Sequence, residues 1–134
     1  NTTTQTFAGA KTFTSTITGT TTGNTVASAG DLNETSFTFL DNQSLPVNIT
    51  GFAFSTSTVR GFEAIVTVTR GSTYAIYKIM GINKGGSFAE VSQELLGDTT
   101  GITFSITSGG QIQYTSTSTG SGGTIKFRAK TLSV

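Results

Sequence analysis

Seven side-chain carboxylates are the acidic groups of this sequence, and no histidine or cysteine accompanies them. Without an imidazole or a thiol, the chain cannot form a Ser-His-Asp or Cys-His catalytic group or a thiolate metal site. A glycosidase needs two carboxyl groups that face each other across a cleft. The spacing of Glu90 and Glu94 would place them side by side on a helix. We therefore interpret all seven as solvated charges: Asp31, Glu34, Asp41, Glu63, Glu90, Glu94 and Asp98.

Two motifs that resemble ion-binding loops fail at the positions that define them. The segment 31–42 has Ser36 where a calcium loop needs glycine, and Asn42 where it needs glutamate. The glycines and lysine of "GINKGGSF" stand in the wrong order for a phosphate-binding loop. We expect no cofactor, no metal ion and no enzymatic activity.

Basic residues alternate along one segment, at Lys126, Arg128 and Lys130. This spacing favours the solvated face of a strand, and contact with an anionic glycan is the alternative. The net charge of +1 gives no electrostatic footprint for nucleic acid. No run of about 18 apolar residues exists, so we expect no membrane insertion.

Hydroxyl groups supply most of the polarity of the chain. Its 134 residues include 29 Thr and 15 Ser, whereas charged residues are only 11%, against roughly 25% in an average domain. Threonine is β-branched and fits a pleated, half-buried surface. This composition is typical of β proteins on extracellular or virion surfaces. The start at Asn1, without methionine, suggests a fragment of a longer protein.

Alternating apolar residues predict about eight short strands after residue 31, separated by glycine turns. The clearest pattern places Phe62, Ala64, Val66 and Val68 on one face. The segment 74–82 is apolar on both faces, which predicts a central strand covered on two sides. The segment 87–97 fits either a helix or a strand. The helix is suggested by Ser87 and Glu90, which have the spacing of a capping box. The fold expected is all-β, an antiparallel β-sandwich of jelly-roll-like type.

The first thirty residues differ from the rest. Threonine is the commonest residue there, and the large apolar side chains include Phe7, Phe13 and Ile17. So few apolar side chains cannot offset the entropy that is lost when the segment becomes ordered. The segment is therefore either a flexible tail or a leader that borrows a surface from another chain. We divide the sequence into a leader, residues 1–30, and a globular domain, residues 31–134.

Several segments of the sequence resemble segments of trimeric viral fibre proteins. "QTFAGAKTF" is similar to the T-F-x-G-x-K-T-F phrase of fibre shafts in bacteriophages and other viruses, including virophages. "GFEAIVTV", "YKIMGINKGG", "GDTTGITFSIT" and "GQIQYTST" resemble the terminal heads of such fibres. The resemblance implies a homotrimer at the virion surface whose head contacts the host, with three leaders wrapped around one axis. It transfers no receptor-binding residue.

The function expected is therefore non-catalytic attachment of a virion to a host-surface glycan or protein receptor. One alternative is a monomeric carbohydrate-binding module or bacterial adhesin domain. Such modules present exposed aromatic rings, but the chain has no Trp and only Tyr74, Tyr77 and Tyr114, of which two fall in strands that look central. The other alternative is a purely structural capsid decoration.

Attachment sites on fibre heads are expected on loops far from the shaft, because loops tolerate change that the sandwich does not. Four turns are candidates: 41–44, 84–87, 108–110 and 120–123. Their polar side chains, with two neighbouring glutamines, give the candidate receptor-binding residues Asn83, Lys84, Gln111, Gln113 and Ser121.

Overall fold

The computed structural model describes residues 30–134, which form eight β-strands. In chain order these are β1 (Leu32–Phe39), β2 (Val47–Ala53), β3 (Val59–Arg70), β4 (Thr73–Asn83), β5 (Phe88–Gly97), β6 (Ile102–Ile106), β7 (Gln111–Ser116) and β8 (Gly123–Ser133). No helix occurs in this part of the chain, so none there could cross a membrane. Most of the proposed leader, residues 1–29, lies outside the described residues.

Two antiparallel sheets enclose the core. One has five strands in the order β1-β8-β3-β4-β5, and the other has three in the order β2-β7-β6. All strand pairs are antiparallel. The prediction of an all-β, antiparallel two-sheet fold is confirmed. The more specific jelly-roll topology, which combines two Greek keys, is not established by this strand order.

Alternation along β3 and β8 places their apolar side chains inside, as the sequence predicts. Every second residue of β3 from Phe62 to Val68 is buried. On β8, Ile125 and Phe127 are buried while Lys126 and Arg128 point to solvent. Successive side chains of a strand point to opposite faces, so this pattern fixes which face of the sheet meets the core.

Stacked aromatic rings join the two sheets. Phe52 of β2 stacks on Phe127 of β8 with ring centroids 4.2 Å apart. Phe54, just after β2, stacks on Phe62 of β3 at 3.8 Å. Such pairs add roughly 0.5–1.5 kcal/mol beyond the area that they bury. They hold the smaller sheet in register over the larger one.

The segment 87–97 is a strand and not a helix. Residues Val91 to Gly97 pair with β4 from Gly81 to Ala75, so pairing with a long neighbour overrides the local capping signal. Gln93 of this edge strand also donates to the Phe104 carbonyl at 2.7 Å and accepts from the Phe104 amide at 3.3 Å. The glutamine therefore links the two sheets where β5 and β6 meet.

The prediction that β4 is covered on both faces is wrong for the described chain. Ala75, Tyr77 and Ile79 are buried, but Tyr74 and Ile82 are 60% and 51% exposed. The reason is that no other described element packs on the outer face of the five-stranded sheet. Ile76, Met80 and Leu96 of β5 are also exposed there, and together these five side chains form what we call the β4 apolar stripe.

The turn that joins β6 to β7 depends on a glycine. Gly110 has φ +90°, and a Cβ there would overlap the carbonyl oxygen of Phe54. Gly85 also has a positive φ, of +66°, but a Cβ there would meet no atom within 4 Å. A residue with a Cβ would be strained by the positive φ at either position, and only at position 110 would that Cβ also clash with the backbone of Phe54.

We predict that Gly85→Ala lowers the free energy of unfolding by about 1 kcal/mol, the cost of a left-handed residue with a Cβ. Gly110→Ala should cost about 2 kcal/mol more, because the backbone of the turn must also move away from Phe54. Urea denaturation of both variants measures this difference. Equal losses would show that the contact at Gly110 is not tight.

Candidate functional site

The two ends of the sandwich carry different segments of the chain. The described chain begins at one end, where Gly30 lies against Val59 and Thr131, and it also finishes there, where the Val134 amide donates to Thr58. We call this the Gly30 end. The opposite end, which we call the Arg70 end, carries the loops 40–46, 71–72, 98–101 and 117–122.

A buried guanidinium gathers the loops at the Arg70 end. Arg70 is 4% exposed. Its Nε donates to the Ser121 carbonyl at 2.8 Å, Nη1 to the Thr100 carbonyl at 2.9 Å, and Nη2 to the Thr117 carbonyl at 2.7 Å. One side chain thus binds the loop before β6 and both ends of the loop before β8.

Asp41 neutralises this buried charge. Its Oδ1 pairs with Arg70 Nη2. The same carboxylate accepts from the amide of Thr119 at 3.0 Å and from the amide of Gly120 at 2.9 Å. The Thr119 amide, with smaller contributions from Gly120 and Arg70, lowers the pKa of Asp41 despite the opposing effect of burial. Asp41 therefore joins the loop before β2 to the loop before β8.

The local sequence explains why Arg70 points inward. It is the next member of the buried series 62, 64, 66 and 68, at the last residue of β3. The hairpin that follows is closed by Thr73, whose Oγ1 donates to the Arg70 carbonyl at 2.7 Å. Phe39 lies beneath the guanidinium, with its ring centroid 5.6 Å from Cζ. An arginine that continues an apolar alternating series is the signal in the sequence for this cluster.

Asn83 is buried and has no free hydrogen-bonding group for a ligand. It is 1% exposed, its Nδ2 donates to the carbonyls of Thr56 and Val59, and its Oδ1 accepts from the Gly86 amide at 2.8 Å. The expected receptor contact from Asn83 does not fit this geometry. The asparagine instead holds the β4–β5 turn against the β2–β3 loop.

The two candidate glutamines are engaged within the smaller sheet. Gln111 is half-buried, and its Nε2 donates to the Ile49 carbonyl at 2.9 Å and to the Ile112 carbonyl at 2.7 Å. Gln113 donates to Asn48 Oδ1 at 2.8 Å. Gln111 bridges the irregular β2–β7 pairing, where the register shifts between Asn48 and Ala53. Both glutamines therefore have structural partners.

Lys84 and Ser121 are exposed, but they lie at opposite ends of the molecule. Lys84 belongs to the β4–β5 turn at the Gly30 end. The candidate turn 108–110, between β6 and β7, lies at the same end. Ser121 belongs to the β7–β8 loop at the Arg70 end, with the candidate turn 41–44. The five candidate residues therefore do not form one site.

The acidic side chains of the described residues are spread over the surface of the domain and are not gathered in one metal-binding group. No three Asp or Glu side chains of residues 30–134 lie close enough together to hold a metal ion. Asp41, whose pKa is shifted, is committed to Arg70 and to backbone amides. What the Arg70 end offers is a set of fixed loops with exposed hydroxyl side chains, among them Ser118, Thr119 and Ser121.

The lowered pKa of Asp41 predicts how stability depends on pH. A carboxyl group whose pKa is lower in the folded state stabilises the fold above its unfolded value, 3.8, and this contribution is lost as pH falls through the folded pKa. Asp41→Asn should therefore be less stable than the unmodified chain at pH 7, and the difference should shrink below pH ~4. Urea midpoints of both proteins between pH 2 and 7 measure it. A difference that does not change with pH would contradict this account.

No family model and no curated protein matches the chain. Among solved structures, it is similar to the tailspike protein of Acinetobacter phage vB_ApiP_P1, at 17% sequence identity and a TM-score of 0.42. The match covers 94% of this chain and 25% of the tailspike chain. The proposals below therefore rest on the residues of this chain and not on that likeness.

Proposed function

We propose that this chain is the non-catalytic head of a viral fibre, which attaches the virion to a glycan or protein receptor on the host surface through the loops of the Arg70 end. The observation that carries this proposal is the polarity of the domain. Gly30 and Val134 both lie at the Gly30 end. One buried guanidinium fixes the loops at the other end.

Fixed loops favour recognition because less conformational entropy is lost when a partner binds. Arg70 and Asp41 tie down the backbone of three loops, while the side chains of Ser118 and Ser121 remain exposed. The sequence resemblance to fibre heads agrees with this arrangement. A head preceded by a shaft would present the Arg70 end outward, since residue 30 is at the other end.

The β4 apolar stripe supports assembly as a homotrimer, with other copies of this chain as its occupants. Apolar surface of this kind usually marks a protein interface. One charged row crosses the stripe: Lys78 is the cross-strand partner of Glu94, and its Nζ lies 3.2 Å from Glu63 Oε2. The apolar side chains on either side of this row suit contact with another copy, and cyclic symmetry gives each copy the same contact.

A monomeric carbohydrate-binding module is the second candidate, and one observation favours it. Tyr74 is 60% exposed on the outer face of β4, whereas Tyr77 and Tyr114 are buried. An exposed ring can stack on a sugar, so the low number of aromatic residues does not exclude this function. The two candidates differ in the oligomeric state that they require.

We predict that substitutions on the β7–β8 loop reduce binding to host cells. Ser118→Tyr combined with Ser121→Tyr should lower binding at least tenfold, because two exposed hydroxyls are replaced by bulky rings at the Arg70 end. The matched control, Lys84→Tyr with Ser87→Tyr, alters the Gly30 end and should bind as the unmodified chain does. Flow cytometry with fluorescent protein on candidate host cells measures both.

Three outcomes of that experiment would count against the proposal. Equal binding by both double variants would place attachment elsewhere. Absence of binding to any candidate host would favour a purely structural decoration. Release of soluble sugar fragments from the cells would contradict the non-catalytic part of the proposal.

We predict that the chain sediments as a trimer of three 13.9 kDa subunits. Ile76→Glu should dissociate it, because a charge within the stripe cannot be buried without a partner. Leu45→Glu is the matched control, since Leu45 is 76% exposed and lies in the β1–β2 loop, away from the stripe. Sedimentation velocity at micromolar concentration is the measurement. A monomer in the unmodified chain would favour the carbohydrate-binding module.

A further inference from the structure

The outer face of the five-stranded sheet is interrupted at a β-bulge. Leu32 pairs with Ala129 and Thr35 with Phe127, so Asn33 and Glu34 both stand opposite Arg128. Beside the bulge lies a depression of about 530 Å³, which Glu34, Glu63, Ile65 and Arg128 help to line. A bulge bends its strand and re-aims its side chains, and bulges recur beside functional sites.

The depression is one part of a longer groove. A second depression, of about 300 Å³, shares Glu34, Ile65 and Arg128 with the first and extends to Lys126. Both volumes fall within or at the edge of the range of roughly 300–1,000 Å³ that ligand sites occupy. We call the two together the β1–β8 groove.

Glu34 and Arg128 bring opposite charges to this groove that do not neutralise each other. Among residues 30–134, the ion pairs within 4 Å are Arg70–Asp41 and Lys78–Glu63. Glu34 and Arg128 border both depressions, yet they do not pair. Lys126 and Lys130 also lack an ion pair in the described part of the chain. A ligand that carries both an anionic group and hydroxyl donors would therefore meet a free partner for each.

The charge balance restricts the class of ligand. Three carboxylates line the larger depression, those of Asp31, Glu34 and Glu63. They would repel a chain with several sulfates on each sugar more strongly than a chain with at most one carboxylate on each sugar, because the repulsion between like charges grows with the charge of the ligand. Sugar hydroxyls, in contrast, can donate to these carboxylates. The Ile65 side chain, which lies between the charged groups as the cross-strand neighbour of Arg128, offers a small apolar contact for a ring face.

We propose that the β1–β8 groove binds an oligosaccharide that contains carboxylate-bearing sugars of the uronic or sialic acid class. The planar guanidinium of Arg128 binds the sugar carboxylate, for which its forked donors are suited. Lys126 and Lys130 flank that contact along the same strand face, and Glu34 accepts sugar hydroxyls. This binding does not require the loops of the Arg70 end, so it can be tested independently of host attachment.

Isothermal titration calorimetry on the full chain tests the ligand class. The probes are 3′-sialyllactose and a galacturonic acid hexamer, with cellohexaose as the uncharged control and a heparin hexasaccharide as the sulfated one. We expect at least one carboxylated probe to bind more tightly than both controls. Absence of binding by both carboxylated probes at millimolar concentration would overturn the proposal, as would equal binding of cellohexaose or tighter binding of heparin.

Three exposed positions test the residues. Arg128→Ala should weaken binding of the carboxylated probe about tenfold or more, as expected for loss of a charged hydrogen bond. Glu34→Gln should also weaken binding, because a direct hydroxyl contact is lost. If the groove attracted anions by charge alone, Glu34→Gln would strengthen binding instead and would overturn the assigned contact. Lys84→Ala, which removes an exposed cation at the Gly30 end, should leave affinity unchanged.

If Lys84→Ala weakened binding of the carboxylated probe as much as Arg128→Ala does, the assignment of the site to the β1–β8 groove would also be contradicted. The loop variants Ser118→Tyr and Ser121→Tyr should bind the probes normally. Their behaviour separates the two proposals, because the groove can bind its sugar even if host attachment through the loops is absent. Conversely, cell binding that survives Arg128→Ala leaves the loop proposal standing.

Discussion

The arrangement of one end of this domain depends on the burial of a single charge. Arg70 cannot be solvated by water at 4% exposure, so the protein must supply its partners. Asp41 supplies the counter-charge, and the carbonyls of Thr100, Thr117 and Ser121 accept the other donors. The loops are therefore held by the requirement to satisfy the guanidinium.

At the opposite end, the loops are held by neutral side-chain amides. The Asn83 amide binds three backbone groups from adjoining turns, and Gln111 bridges the place where the β2–β7 register shifts. Amides can satisfy both donors and acceptors of the backbone without the cost of burying a charge. Polar side chains of the type that often binds ligands are thus used here to close loops.

The outer face of the five-stranded sheet divides into two chemically different halves. The β4 apolar stripe occupies one half, and the β1–β8 groove, with Glu34 and Arg128, occupies the other. Glu63 of β3 lies at the border between the two halves, where it helps to line the groove and forms the ion pair with Lys78 of β4. The free energy falls when apolar surface leaves water, whereas exposed charges bind best to a polar, hydrated partner. A protein partner on one half and a sugar on the other would be compatible.

The sequence by itself determined the fold class and the inward face of most strands, because alternation along β3 and β8 reports the burial of every second residue. It also located the glycine turns, since positive φ favours that residue. It could not determine that β5 pairs with β4, because the capping signal at Ser87 is local and the pairing is not. Nor could it show that Asn83 is buried or that Glu34 stands opposite Arg128 at a bulge. Those facts depend on contacts between residues distant in sequence, which only the tertiary structure decided.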